Sequence, residues 1–384
     1  MPGSNNWCLI MAIAILLSRF IFITQLLKDP FENATQSDKD TSIHQCLNAL
    51  GKNGTWVQDW EFARKFGQHV IPLVESYGPF YRRTWGRFKP TAEIPFPWQT
   101  SWRWLDFNSF GDDCQIDYTM GGESICEALQ ALNITHLYFN GDSMTQSQYT
   151  SFINKLGSQY VTIDRNSKGA SILCANNTIK VLQTREGQGG QAFPSSPRDN
   201  ITLTQISKDF FRQKGRKLSI WNMGAHYHQD SHYQEDIVQL FSWMEEYHNK
   251  DDLIFFRTTP SGHLNCEPRR PRRFNFSEYR VRPLKNYNEF KPTSMHTWEK
   301  FDAYNTYTKQ LLRERQNNSS LEDRPQIRLL DVVNMTLLRP DGHSGGGDCL
   351  HYVQPGPIDW WNHLLFTHLV KIREMEGPLL AGKV

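Results

Sequence analysis

From about residue 134 onward, short β-forming runs alternate with helical ones, and few folds accommodate that order. Ile134 to Phe139 (ITHLYF) is apolar and rich in β-formers. The tetrapeptide NGDS follows, and Met144 to Leu156 reads as a helix stopped by Gly157. Lys217 to Gly224 (KLSIWNMG) is a second strand ending in a turn. His232 to His248 is a helix whose apolar positions are Ile237, Leu240, Phe241 and Met244. Leu253 to Arg257 is a third strand, cut off by Pro260. EKFDAYNTYTKQLLRERQ is a helix, IRLLDVV a fourth strand and WWNHLLFTHLVKIREME the last helix. Strands alternating with helices predict an α/β fold, a mostly parallel sheet with helices on both faces. In such sheets ligands lie beyond the carboxyl ends of the strands.

The first third of the chain reads differently. Trp7 to Leu27 is apolar with one charge, Arg19, and is either an uncleaved membrane anchor or a signal peptide. Residues 28 to 45 are polar and aperiodic, a short stem. Cys46 to about Cys126 is dense in Trp, Pro and Arg and reads as an irregular, disulfide-tied lobe. The expected layout is therefore an anchor or leader at 1–28, a stem at 29–45, a lobe at 46–130 and a catalytic domain at 131–384. Outside the apolar run stand six cysteines: Cys46, Cys114, Cys126, Cys174, Cys266 and Cys349. In an oxidising lumen they allow up to three disulfides in 15 pairings. Sequons at Asn33, Asn53, Asn133, Asn176, Asn200, Asn275, Asn317, Asn318 and Asn334 point to the same compartment. The charge balance, 42 Lys+Arg against 40 Asp+Glu, carries no global polyanion signature, so no nucleic-acid partner is expected.

Chemistry concentrates at the strand ends. Gly141-Asp142-Ser143 closes the first strand and opens a helix. A serine there sits on a tight exposed turn with its own amide at a helix N-terminus, suited to a developing oxyanion. The competing reading is a plain N-cap. Two hundred residues later, Asp348 and His351 stand three apart in a loop marked by Gly345–Gly347 and by Pro355-Gly356. His351 would take the Ser143 proton, and Asp348 would orient the imidazole. A surface turn or a metal-ligand pair is the alternative for these two. Asn222 and the Gly224 amide follow the second strand and are candidate oxyanion donors, although an Asx-turn would also place an Asn there. Arg257, closing the third strand, would bind an acyl donor, an acceptor carboxylate or the oxyanion, or else pair with Asp142 or Asp331. His226, His228 and His232 suggest a metal, but no carboxylate pattern completes the site, so no metal is expected. The four arginines between Arg269 and Arg273 read as a solvated loop.

Five blocks together resemble the PC-esterase or trichome-birefringence-like proteins, an SGNH-hydrolase-related family of polysaccharide O-acetyltransferases. YFNGDSMTQSQ resembles its nucleophile block, WNMGAH its asparagine–glycine block and FFRTTPSGH its arginine block. RPDGHS and DCLHYVQPGPIDWWNHLL resemble its acid–base block. The chain departs from the family where Tyr352 replaces a tryptophan, where Val353 stands near an expected cysteine, and where a histidine falls at 226 rather than 225. The resemblance implies a three-layer α/β/α sandwich of the SGNH/GDSL type, a Golgi membrane anchor with a lumenal catalytic domain, and the triad Ser143, His351 and Asp348. It implies an acyl-serine intermediate and acetyl transfer to a sugar hydroxyl. No tightly bound cofactor is expected; the acetyl donor, acetyl-CoA or another acetyl ester, is a substrate, and the partner is a carbohydrate acceptor. A glycan O-acetylesterase with the same triad and a glycan-binding protein without turnover are the rival readings.

Overall fold

The computed structural model describes residues 36–66, 98–107, 110, 114–163, 171–174, 179–185, 203–264, 283–291, 295–317, 324–343, 348–352, 354 and 356–376. The Trp7–Leu27 run, the Arg269–Arg273 loop, Gly345–Gly347, Val353, Pro355 and Cys266 lie outside these residues. Among the described residues no helix is long and apolar enough to cross a membrane. The chain divides into two compact units, residues 1–46 and 47–384.

Seven strands form one sheet: β3 (Ile134–Asn140), β4 (Val161–Ile163), β5 (Ser171–Leu173), β6 (Ile179–Thr184), β7 (Arg216–Trp221), β8 (Leu253–Arg257) and β9 (Ile327–Leu330). Their order is β4-β5-β6-β3-β7-β8-β9. From β6 to β9 every neighbour is parallel, while β4 and β5 run antiparallel at one edge. The α/β reading of the sequence is met: the sheet is mostly parallel. The central strands are buried on both faces; all five residues of β8 are buried. This is why they read as apolar runs rather than as alternating ones.

Helices cover both sides. On one side lie α3 (Gly122–Ala131), α4 (Ser143–Leu156) and α9 (Pro357–Glu376), which contact one another, with α3 and α4 against β3 and α9 against β9. On the other, α5 (Gln205–Arg212), α6 (Asp230–Tyr247) and α7 (Phe301–Gln316) form a chain of contacts beginning at β6. Sequence punctuation sets their ends. Asp142 caps α4 by accepting the amides of Met144 (2.9 Å) and Thr145 (3.2 Å), and Gly157 ends it at φ 83°. Pro357 opens α9, where a missing amide hydrogen costs nothing. On α6 the anticipated stripe of Ile237, Leu240, Phe241 and Met244 is buried.

Upstream, the polar segment read as a stem carries helix α1 over Gln36–Ala49, which continues beyond it. The Trp-rich region holds β1 (Gly54–Gln58), α2 (Trp60–Phe66) and β2 (Trp102–Asp106), with β1 and β2 antiparallel. Their aromatics have a definite purchase on the sheet domain. Trp56 lies edge-on to Trp360 of α9 at 5.4 Å and donates to the Met335 carbonyl at 2.8 Å. Met335 belongs to the short helix α8 (Val333–Leu337). The Arg339 guanidinium sits 4.4 Å above the Trp56 ring. Cys126 of α3 is joined to Cys174 after β5, and Cys46, Cys114 and Cys349 are disulfide-bonded as well.

The connection from β3 leads towards β6, and the connection from β7 leads the other way towards β8. Adjacent β3 and β7 therefore flank a topological switch point, where departing segments leave a crevice at the carboxyl ends. Ser143 follows β3, and Asn222 follows β7.

Candidate active site

Ser143 is the first residue of α4, immediately behind its buried cap Asp142. The turn leading into it needs Gly141: a Cβ there would stand 2.3 Å from Thr145 Oγ1 and 3.0 Å from Asn222 Cβ. The serine is thus delivered by a turn packed so closely against the Thr145 and Asn222 side chains that no side chain fits at 141.

The acid–base loop arrives from the far end of the chain. Ser143 Oγ lies 2.6 Å from His351 Nε2, across 208 residues. On the other side of the ring, His351 Nδ1 is 2.9 Å from Asp348 Oδ2 and 3.0 Å from Oδ1. Asp348 Oδ1 also accepts the backbone amides of His351 (3.0 Å) and Leu350 (3.2 Å). One carboxylate therefore fixes both the imidazole and the turn that carries it. Burial works to raise the Asp348 carboxyl, but the His351 hydrogen bond, its charge and the two amides outweigh it. The group is held below its ordinary range and stays ionised at neutral pH. With Asp348 accepting at Nδ1, Nε2 faces the serine as the acceptor, the orientation a general base requires.

The other sequence candidates have different tasks. Asn222 spends both amide hydrogens inside the protein, on Arg257 O (2.9 Å) and Thr259 Oγ1 (2.8 Å). No hydrogen remains for an oxyanion; Asn222 instead binds the end of β7 to the end of β8. Gly224 stands where a Cβ would meet Thr259 Oγ1 at 2.7 Å, so its absent side chain closes the same junction. Arg257 is fully buried. It donates to Thr258 O (2.9 Å) and Thr145 Oγ1 (2.8 Å), approaches Asp142 Oδ1 at 3.7 Å and lies 4.6 Å over the Trp361 ring. Burial pushes this guanidinium down to about 10, and Asp142 pulls it back up. Of the partners foreseen for Arg257, Asp142 is the one it meets; Asp331 pairs with Lys309 at 2.6 Å. Arg257 therefore lies beneath the turn that carries Ser143, with its guanidinium engaged inside the protein. His226 and His232 are half-buried and His228 is exposed. Among the described residues no three His, Cys, Asp or Glu side chains are placed to hold a metal.

Sequence reasoning passed over Thr145, which takes the Arg257 hydrogen bond and lies 3.5 Å from Asn222 Oδ1. It also missed Ser151 and Asp359, joined at 2.5 Å between α4 and α9. The spacing of Thr145 and Ser151 on the helix behind Ser143 is the only signal they offered.

Residues 202–368 match the PC-Esterase family, described as a GDSL/SGNH-like acyl-esterase family found in Pmr5 and Cas1p. Over that stretch the chain is similar to a PC-Esterase domain. The matched stretch includes Asn222, Arg257, Asp348 and His351 and begins after Ser143, whose place rests on its own geometry. Similar curated proteins include trichome birefringence-like 25 of Arabidopsis thaliana, 29% identical over 37% of this chain and 36% of its own length. Trichome birefringence-like 20 of the same plant is 28% identical over 40% of this chain and 32% of its own. Xyloglucan O-acetyltransferase 1 of Populus trichocarpa is 34% identical over 14% of this chain and 16% of its own. The chain thus spans about a third of the length of the first two relatives.

Proposed function

We propose that this protein is a carbohydrate O-acetyltransferase of the PC-Esterase type working through an acyl-serine intermediate. The unbroken line from Ser143 Oγ through His351 to Asp348 carries the reading. The name of the xyloglucan O-acetyltransferase relatives supports the carbohydrate acceptor and the acetyl group.

Ser143 Oγ attacks the donor's acyl carbonyl as His351 Nε2 takes its proton. The oxyanion is met by the Ser143 amide at the α4 N-terminus and by the Gly224 amide. When the tetrahedral species collapses, the donor's leaving group departs with the proton from His351, and the acyl group stays on Ser143. A sugar hydroxyl then gives its proton to His351 and attacks the ester, and Ser143 recovers a proton as the acetylated sugar leaves. Asp348 stabilises the imidazolium formed in both halves. The donor is acetyl-CoA or another acetyl ester, and no tightly bound cofactor takes part.

The compartment belongs to the same proposal: a Golgi lumenal domain, anchored through Trp7–Leu27 or secreted. Disulfides at Cys126–Cys174 and at Cys46, Cys114 and Cys349 support an oxidising lumen. The sequon asparagines Asn53, Asn133 and Asn317 are exposed. Asn334 is half-buried, its side-chain amide donates to the Lys52 carbonyl, and the paired Thr336 is buried, so it is a poor acceptor once folded.

The acyl-esterase wording of the family description supports a second reading, hydrolysis by the same three residues with water as acceptor. Acetyl release and transfer from an activated acetyl ester, with and without oligosaccharides, separate the two. Ser143→Ala is expected to lower either activity by about a thousandfold or more. Transfer to a sugar supports the transferase, and hydrolysis alone supports the esterase. Turnover retained by Ser143→Ala would remove the Ser143 mechanism, and turnover absent from the wild type would leave a glycan-binding protein.

A further inference from the structure

Two buried histidines outside the triad lie directly behind it. His263 follows β8 and His343 follows α8; each is less than 5% exposed, at 4% and 3%. His263 Nδ1 and His343 Nε2 are 2.6 Å apart. The outer nitrogens face backbone carbonyls: His263 Nε2 lies 2.8 Å from Leu337 O, and His343 Nδ1 lies 3.0 Å from His351 O. The pair thus ends on the backbone of the catalytic base itself.

Other contacts fasten the same segment. The His263 amide donates to Cys349 O at 3.0 Å. His343 and Tyr352 form an antiparallel bridge, and the Tyr352 ring stacks on the His343 ring at 4.3 Å. Cys349 is disulfide-bonded. Residues 349, 351 and 352 are each held by His263 or His343, and the imidazole of His351 projects from between them.

Proton counting makes the arrangement specific. Carbonyl oxygens only accept, so all three contacts are satisfied together only by three protons on four ring nitrogens, one positive charge. Burial opposes that charge. It lowers His263 to about 4 and His343 well below its ordinary value; the His263 charge pushes His343 the same way, while the hydrogen bond to the His351 carbonyl and the Asp348 charge resist. With two protons and the ring–ring bond made, one outer carbonyl keeps its donor, and it is the His351 carbonyl when His263 Nδ1–H donates to His343 Nε2.

We propose that His263 and His343 are positioning residues for His351, with His343 Nδ1–H donating to the His351 carbonyl and so fixing the base against Ser143. The inference rests on the triad reading for its catalytic meaning, but the clamp has a readout of its own. Asparagine at 343 keeps a donor near Nδ1, whereas glutamine places its amide towards Nε2 and abandons the His351 carbonyl.

The test compares wild type, His343→Asn and His343→Gln by three measurements on the whole chain. Ring nitrogen NMR of histidine-labelled wild type is expected to show His343 protonated at Nδ1; an unprotonated Nδ1 overturns the proposal. Hydrogen exchange over residues 348–352 is expected to accelerate about tenfold in His343→Gln and to return towards wild type in His343→Asn. Equal protection in both variants overturns it too. Fluorophosphonate labelling of Ser143 should slow about ten- to hundredfold in the glutamine variant and recover in the asparagine variant. Failure of wild type to label sinks the triad reading instead, while the NMR and exchange results still decide the clamp.

Discussion

Removing the charge of Arg257 should loosen the turn that carries Ser143, and the structure sets the size of the effect. Arg257 and Asp142 are both fully buried, with Arg257 Nη2 3.7 Å from Asp142 Oδ1. At an effective dielectric constant of about 20, two unit charges at that distance attract by roughly 4 kcal/mol. Asp142 Oδ2 has no hydrogen-bond partner among the described residues, so the carboxylate leans on that attraction. Arg257→Met keeps much of the stem's volume but strands a buried carboxylate, and is expected to cost about 3–5 kcal/mol. Asp142→Asn keeps an N-cap acceptor while stranding the guanidinium. Combining them strands no charge, so the double variant should be more stable than the sum of the singles by about 2 kcal/mol or more. Guanidinium denaturation of the four proteins, followed by tryptophan fluorescence, measures the coupling. Additive losses would refute the argument. So would an Arg257→Met protein of wild-type stability with a raised KM, since that result would place Arg257 on the substrate.

Two further outcomes follow from groups away from the triad. Burial lifts Asp106 to about 6, opposed by hydrogen bonds from Trp104 and the Gly51 and Ile116 amides. Its folded pKa lies above the unfolded value of about 3.9. The folded state therefore holds the extra proton, and this group makes stability fall as pH rises from about 4 to 6. Asp106→Asn keeps an oxygen for Gly51 and Trp104 and should flatten that part of the curve, raising stability above pH 6 by up to ~3 kcal/mol. A pH profile of the unfolding free energy with the wild-type slope intact would contradict this. Replacing Cys126 and Cys174 by serine opens a bridge spanning 48 residues and should cost about 2–5 kcal/mol, read from the denaturation midpoint. An unchanged midpoint would show that the packing of α3 on β3 alone holds this region.

The sheet was legible where its strands are buried on both faces. β8 is recovered to the residue, because Leu253–Arg257 is apolar but for its last position and Pro260 follows closely. The strands β4, β5 and β6 went unseen: β4 and β5 have three residues each at the antiparallel edge, where no continuous apolar run is needed, and β6 (IKVLQT) is broken by the exposed Lys180 and ends polar. Ser143, Asp348 and His351 were legible for another reason: a glycine-led turn at a strand end and an acid three residues before a histidine limit where those side chains point. Asn222 and Arg257 were not. A polar residue at the end of a strand looks the same in sequence whether it faces the crevice or the packing beneath it. The difference lies in partners such as Thr145 and Thr259, which reach the site from other elements.

The separation of Ser143 and His351, 208 residues apart in the chain, is set by helix packing as well as by their own hydrogen bonds. His351 sits just ahead of α9, and Ser143 heads α4, so the contact of these helices sets the distance between them. That contact carries a buried polar seam. Ser151 Oγ donates to Asp359 Oδ1 at 2.5 Å, and Asn362 donates to Ser151 Oγ at 2.9 Å and to Gln148 O at 3.1 Å. Asp359 Oδ2 accepts the Gly356 amide at 2.6 Å, and Gln354 donates to Ser147 O at 2.5 Å, which draws the exit of the His351 loop onto α4. An apolar interface of equal area would tolerate sliding by a fraction of a turn. Directional bonds buried away from water do not, because each broken one leaves a group unsatisfied at about 1–3 kcal/mol. The seam thus fixes the loop's exit, while His343 and His263 hold the residues around His351 itself.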